Sequence, residues 1–346
     1  MTETMKQMTL AARPVGAPKD SDFKLVEGPL PEPKDGEVLV RVHYMSLDPY
    51  MRGRMDDAKS YAAPVPIGGT MEAGCVGEVI ASKSEAFAVG DMAFGMFGWA
   101  THGCLPAKEM RKLDARLPIT TALGVLGMPG FTGWYGLMEL GRPKEGETLV
   151  VAAATGPVGS MVGQIAKARG LRTVAIAGGA DKCKLATEKF GFDAAIDHRA
   201  YDDASSLRKA LGEVAPKGID IYFENVGGKV FEAVLPMMNT FGRIPVCGMI
   251  AGYNAGRLGA AAGDGGPDRL PMLWSSILVK QMSVNGFIIS NHYDLYGKFL
   301  SEVAPLFASG EIAVLEDIAE GLENAPRTFM GLLEGRNVGK QLVKLI

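Results

Sequence analysis

Four cysteines and four histidines in 346 residues leave little material for metal or disulfide chemistry. Cys75, Cys104, Cys183 and Cys247 are scattered, and no two are separated by only two residues. That spacing argues against both a disulfide framework and a structural zinc site. No histidine lies beside a Glu or Cys at ligand spacing, so the expectation is a metal-free protein. Long apolar runs are also missing, and nothing approaches the ~18 residues that cross a membrane. The opening MTETMKQM has no basic region followed by an apolar stretch, so no secretory signal is expected and the cytoplasm is the default location. A large excess of one sign of charge is missing: a formal net charge of −3 gives no electrostatic footprint for nucleic acid or an anionic membrane.

What is abundant is glycine, 45 residues, about twice its usual share, which fits many tight turns between strands. The length predicts two domains. Residues 1–8 read as a disordered leader. From Phe23 to about Arg116 short β runs alternate with turn clusters such as PEPKDGE and AVGD. Val38, Val40 and Val42 alternate with Leu39, Arg41 and His43, as a half-buried strand should. These runs predict a β-rich, rolled or barrel-like sheet.

A helical stretch around Thr120–Leu140, interrupted at Pro129-Gly130, leads to the most informative segment, TLVVAAATGPVGSMVGQIAKARGLRTVAIAGGADK at 148–182. An apolar run meets a glycine turn, Gly156–Gly159. An amphipathic segment to Ala168 follows, and then a second apolar run, Arg172–Ala177. Strand, phosphate turn, helix and strand in this order form the first unit of a dinucleotide-binding sheet. Glycines let the backbone approach a pyrophosphate, whose charge sits on the free amides of the helix N-terminus. Further apolar strands at Ala194–Asp197, Ile219–Glu224, Arg243–Gly248 and Ser283–Ile288 bring the count to six. Helical patterns at Leu185–Phe190, Leu207–Val214, Val230–Met238 and Tyr293–Ala308 complete a doubly wound parallel sheet. A long Gly/Ala/Asp-rich loop spans 251–270. The tail from about Ala313 reads as β, with a final strand rejoining the first domain.

An NAD site usually ends its second strand with a carboxylate for the ribose 2′-hydroxyl. Here the strand runs into Gly178 and Gly179, with Lys182 close behind and His198-Arg199 closing a later strand. Small residues leave room for a 2′-phosphate, and cations would neutralise it. A lone solvated helix lysine is the competing account of Lys182. The missing acid favours NADP(H).

Several ordered motifs then carry a resemblance: LDPYMRGRM at 47–55, GMPGFTGWYGL at 127–137, AAATGPVGS at 152–160, FENVGG at 223–228, RIPVCGMIAGYN at 243–254 and GRNVGK at 335–340. From about Leu10 to Ile346 the chain resembles the medium-chain dehydrogenase/reductase superfamily. More closely, it is similar to the zinc-free branch of NADP-dependent alkenal and enone double-bond reductases, which includes prostaglandin reductases and bacterial curcumin reductase. The resemblance implies a Rossmann domain, 123–312, inserted into a β-rich GroES-like catalytic domain, 9–122 and 313–346. Zinc-dependent relatives carry a Gly-His-Glu ligand motif; IGGTMEAGCVG stands near that place without His-Glu.

By the same resemblance Gly156, Pro157, Val158 and Gly159 form the pyrophosphate turn. Lys182 is the 2′-phosphate lysine, with Gly178, His198 and Arg199 around the anion; His198 stands where prostaglandin reductases have a tyrosine. Asn225 lines the cofactor groove, and Cys247, Gly248, Met249 and Tyr253 belong to the loop under the nicotinamide ribose. Phe287, Ile288 and Ile289 lie beside the ring, with Asn337 near it; simple packing or turn roles compete for Phe287, Ile288, Asn225 and Asn337. The implied reaction is hydride transfer from NADPH to the β-carbon of an α,β-unsaturated ketone or aldehyde, with a hydrogen-bond donor for the enolate oxygen. Tyr253 or Tyr61 is the expected donor, and Tyr50 shapes the substrate pocket with them. Asp48 and Arg52 are candidates for an ion pair that fixes the Tyr50 loop. Rival functions are NADPH:quinone reduction, alcohol oxidation, which lacks a zinc to polarise the alkoxide, and a non-catalytic NADPH-binding sensor. Relatives are commonly homodimers through the nucleotide domain.

Overall fold

The computed structural model describes residues 4–256 and 269–346. The chain divides into two compact units. The first holds residues up to Gly127, a short piece beginning at Tyr253, and Glu316–Ile346; the second holds Met128–Gly252 and a stretch ending at Leu315.

The first unit contains β1 (Thr4–Leu10), β2 (Phe23–Pro29), β3 (Glu37–Ser46), β4 (Cys75–Ser82), β5 (Met92–Gly95), β6 (His102–Pro106) and β7 (Arg111–Lys112), with a single helical turn, α1 (Met51–Arg54). β3 organises it, pairing antiparallel with both β4 and β6. Its register against β4 shifts between Leu39 and Val40 and again between Val42 and Tyr44. Such irregularities bend and twist a strand, so one long strand can serve several partners. Val38, Val40 and Val42 are fully buried, as their alternation predicted.

Residues 4–8 are not a disordered leader. β1 pairs along its whole length with β2, the Met8 amide donates to the Trp99 carbonyl at 2.8 Å, and Met8 and Leu10 are buried. Only two apolar side chains anchor this strand, so its order comes from pairing with distant chain rather than from its own hydrophobicity. Trp99 forms the centre of the unit's core, stacked on Phe23 at 5.6 Å between ring centres and meeting Phe329 edge-on at 5.6 Å.

The second unit is a parallel sheet of β8 (Thr148–Ala152), β9 (Arg172–Ala177), β10 (Ala194–Asp197), β11 (Ile219–Phe223), β12 (Met238–Val246) and β13 (Ser283–Gly286). Its strand order among the described residues is β10-β9-β8-β11-β12-β13. The order reverses between β8 and β11, and open α/β sheets bind ligands beyond the strand ends at such a switch point. The helices are α2 (Met128–Tyr135), α3 (Pro157–Ala168), α4 (Ala180–Glu188), α5 (Ala204–Val214), α6 (Gly228–Val234), α7 (Leu270–Lys280) and α8 (Tyr296–Ala308). All five residues of β8 are buried, as a strand covered on both faces requires.

Pro129-Gly130 does not interrupt the helical stretch. Pro129 occupies the first turn of α2, where its missing N–H costs nothing, and the break falls earlier, at 124–127. α2 then runs into a π-helical turn at Gly136–Gly141. A Cβ on Gly136 would meet the Phe223 ring at 2.6 Å and the Phe287 ring at 3.0 Å, so glycine is what lets those rings close on the helix.

The tail is not wholly β: α9 (Ala325–Leu333) stands between β14 (Glu316–Glu320) and β15 (Lys340–Lys344). β15 lies antiparallel to β3 and parallel to β14, so the end of the chain completes the first unit's sheet. Of the expected 251–270 loop, residues to Ala255 form a 3-10 turn, and 257–268 lie outside the described residues. No described helix is long and apolar enough to cross a membrane.

Candidate functional site

At the end of β8 the chain turns sharply. Ala153 takes a left-handed backbone, φ 51°, and Gly156 caps α3 with Pro157 at its first position. Gly159 is glycine by necessity, since a Cβ there would meet the Ala153 carbonyl oxygen at 2.4 Å. Gly156 is different. Its φ of −75° suits any residue, and a Cβ would find only the Ala153 oxygen at 3.4 Å. Nothing in the chain itself demands glycine there, and the open side lies at the amide-bearing start of α3, where a phosphate would sit. Val158 is half-buried in the same first turn.

Beyond β9, Gly178 is crowded: a Cβ would meet Arg199 Nε at 2.8 Å and His198 Nε2 at 3.2 Å. The structure therefore brings His198 and Arg199 against the end of β9. Gly179 caps α4 with φ 101°, a conformation that favours glycine, and Lys182 follows in that helix's first turn. Asp197 fastens the arrangement, its Oδ1 accepting from the amides of Gly179 at 2.8 Å and Arg199 at 2.9 Å. Burial works to raise the Asp197 carboxyl, but those amides and the neighbouring cations outweigh it and hold it low. The His198 imidazole is pushed below its usual value, first by burial and then by the charges of Lys229, Arg199 and Lys182. Lys182, Arg199 and Lys229 gather at this spot, countered in part by Asp197 and Asp203, an arrangement suited to an anion.

At the end of β11, Asn225 Nδ2 donates to the Ala152 carbonyl at 2.8 Å, tying the ends of β11 and β8 together. Its predicted groove position coincides with a structural bond. The preceding Glu224, which sequence reasoning passed over, is buried. Its Oε1 accepts from the Val226 amide at 2.6 Å, the Gly227 amide at 2.9 Å and the Tyr222 hydroxyl at 3.1 Å. The amides of Cys247 and Gly248 donate to its main-chain oxygen. Burial raises the Glu224 carboxyl and pushes the Cys247 thiol up to about 12, with Glu224 adding to the shift. The Cys247 thiol is thereby held in its protonated form. Met249 is exposed and Gly248 half-buried. Phe287 packs on Tyr135 at 5.3 Å, with Ile288 and Ile289 following, both half-buried.

In the first unit, Tyr50 and Tyr61 are brought together by a residue that composition does not single out. Arg54, 2% exposed, places its guanidinium 4.3 Å from the Tyr61 ring centre and 5.8 Å from that of Tyr50. It also donates to the Ala62 carbonyl at 3.1 Å. Burial, and next the Asp48 carboxylate, push the Tyr50 phenol well above its usual value, so Tyr50 remains a donor at any working pH. Tyr61 is half exposed, at 47%, and Tyr253 is half-buried. The hydroxyl of Ser60 and the Oδ1 of Asn254, each beside one of these tyrosines in the chain, are shut from solvent without a hydrogen-bond partner among the described residues.

Asp48 and Arg52 do not pair with each other. Asp48 is held by Lys340 Nζ at 2.7 Å and by the Ser46 hydroxyl, and Arg52 by Asp56 at 2.5 Å. Lys340 also donates to the Leu47 carbonyl at 2.8 Å. The last motif thereby fastens the first, a tie invisible to spacing because nearly the whole chain separates the partners. Asn337, in that last motif, donates to the Gly339 carbonyl at 2.8 Å and holds its own turn. Among the described residues, no group of three or more His, Cys, Asp or Glu is placed to hold a metal ion.

Residues 6–113 match the family described as N-terminal domain of oxidoreductase, and residues 157–304 the family described as zinc-binding dehydrogenase. The chain is 50% identical to the NADPH-dependent curcumin reductase of Escherichia coli (strain K12), covering 98% of this chain and 96% of the relative. It is 40% identical to the NADP(+)-dependent 2-alkenal reductase of Nicotiana tabacum, again covering 98% and 96%. The crystal structure of CurA in complex with NADPH from Vibrio vulnificus superposes with a TM-score of 0.93 at 49% identity, covering 99% of each chain. On these similarities, which run the length of both units, the chain belongs to the medium-chain dehydrogenase/reductase superfamily, in its group of NADP-dependent alkenal and enone reductases.

Proposed function

We propose that this protein reduces the carbon–carbon double bond of α,β-unsaturated ketones and aldehydes with NADPH, in the cytoplasm, as a homodimer. One observation carries the reaction: relatives aligned over nearly the whole chain are named for reducing curcumin and 2-alkenals. The residues present fit the cofactor. Gly156 leaves open space at the start of α3, and the cations around Gly178 suit a 2′-phosphate. Bound there, NADPH would supply the hydride that goes to the β-carbon. Gly156, Pro157, Val158 and Gly159 would hold the pyrophosphate. Lys182, His198 and Arg199 would take the 2′-phosphate, while Asn225, Gly248, Met249, Phe287, Ile288, Ile289 and Asn337 would border the nicotinamide half.

The tyrosines' part is to stabilise charge. As the β-carbon gains hydride, negative charge grows on the carbonyl oxygen, and a phenol placed to donate there lowers the barrier. Tyr253 and Tyr61 are the proposed donors. Tyr50, kept protonated by burial and held with Tyr61 by Arg54, shapes the apolar wall. The α-carbon then takes a proton from a side chain or water.

The four free thiols support a reducing compartment. The homodimer is supported by α7, none of whose residues is buried. Trp274, Leu278 and Val279 are 65%, 77% and 71% exposed, and β13 ends the sheet with one edge unpaired among the described residues.

The test is NADPH absorbance decay with a trans-2-alkenal, curcumin and a quinone, each repeated with NADH. Faster loss with the enones than with the quinone, and with NADPH than with NADH, is expected. Preference for the quinone would move the function to quinone reduction, and binding without turnover to a sensor. Tyr253→Phe and Tyr61→Phe together are expected to lower kcat about 10²-fold, the low end for losing an oxyanion donor.

A further inference from the structure

Lys229 stands at the second position of α6, a place where a cation opposes the helix dipole, so the helix's own stability does not account for it. Its ammonium reaches back to β10's far end. It donates to the His198 carbonyl at 3.0 Å and to the Tyr201 carbonyl. These two acceptors bracket the 3-10 turn His198–Ala200 that carries His198 and Arg199. The reach is made possible by Gly227 and Gly228, whose φ values of 77° and 55° swing the chain out of β11. Asp197 holds the near side of the same turn through the Gly179 and Arg199 amides. The turn is thus clamped from two elements, and its side chains are pressed on Gly178, where even a methyl group would collide with them.

Such rigidity is costly unless it is used. Lys229 brings a third cation to a spot that already holds Lys182 and Arg199 beside the His198 imidazole, and like charges repel. A second reason for the charge is an anion that arrives with the ligand.

We infer that Lys229 is a positioning residue for NADPH over NADH: by holding the His198 and Tyr201 carbonyls it fixes His198 and Arg199 where a ribose 2′-phosphate is received. The inference rests on the NADPH assignment proposed above and names a residue that assignment does not require. Lys229 acts through the turn, so its removal affects the phosphorylated cofactor selectively.

The test compares Lys229→Met, Lys229→Arg and Lys182→Ala with the unaltered protein. KM is measured for NADPH and NADH with one enone, together with binding of 2′,5′-ADP and of 5′-ADP by calorimetry. Lys229→Met is expected to raise KM for NADPH about tenfold, the scale of losing charge-assisted bonds, and to move KM for NADH far less. Its affinity for 2′,5′-ADP should fall in parallel, while that for 5′-ADP changes little. Lys229→Arg, which can still donate to two carbonyls, should recover most of the preference. If Lys182→Ala abolishes the preference and Lys229→Met leaves it intact, the inference is overturned and the NADPH assignment stands. If Lys229→Met weakens both cofactors equally, Lys229 merely holds the fold together and the inference is overturned likewise. An unaltered protein that does not distinguish NADPH from NADH overturns both.

Discussion

Gly156 and Gly159 share one turn and are glycines for different reasons. Gly159→Ala drives a methyl into the Ala153 carbonyl, an overpacking expected to cost about 1–3 kcal/mol of stability and visible as a lower denaturation midpoint. Gly156→Ala has room and an ordinary backbone. It should fold with nearly unchanged stability and lose affinity for NADPH; normal affinity would sink the role proposed for that glycine. The motif was legible from its spacing, but this division of labour was not, because it depends on where Ala153 points its oxygen. Lys229 and Glu224 were illegible for the same reason: each acts on main-chain atoms of a turn whose path no pattern records. His198 gives a pH prediction. Its folded value is lowered from the usual 6.5, chiefly by burial, so folding favours its neutral form. The associated stability is complete above pH 6.5 and is lost as pH falls from there through the folded value. Thermal melts of the unliganded protein should fall on acidification below pH 6.5, and His198→Gln should remove part of that fall. His43, also lowered by burial, leaves a remainder.

Elements with strong patterns were legible, and those decided by partners were not. The six parallel strands announced themselves as short apolar runs alternating with helical patterns. α7, LPMLWSSILVK, has apolar residues all round and hence no stripe of period 3.6, so no helix was expected there. β1 is fixed by β2 and by the Trp99 main chain, neither of which its own seven residues reveal. The exposed face of α7 carries a prediction at this scale. Trp274→Asp with Leu278→Glu should turn a dimer into a monomer in sedimentation, with the fold intact; an unchanged mass would remove α7 from the interface. The contact between β15 and the loop after β3 carries another. Lys340→Met leaves Asp48 buried without its cation, a loss of about 3–5 kcal/mol in chemical denaturation. Adding Asp48→Asn should restore part of it, since the stranded charge is then gone.

The two units have separate cores, one around Trp99 and one along β8 to β12. NADPH is proposed to hold to the second through its pyrophosphate and 2′-phosphate. At a hundredfold excess over Kd, a ligand adds about 2.7 kcal/mol to whatever unfolds with its site. Calorimetry should therefore show NADPH raising the transition of the second unit more than that of the first. The insertion of one unit within the other also has a consequence in time. Tyr44–Ser46 of β3 pair with Leu342–Lys344, yet the whole parallel sheet lies between them in the chain. At ~5–20 residues per second, a ribosome needs roughly 10–45 s to pass from Gly127 to β15. During that interval the nascent second unit can finish folding while the first still shows an open strand edge, the kind of surface chaperones exist to cover.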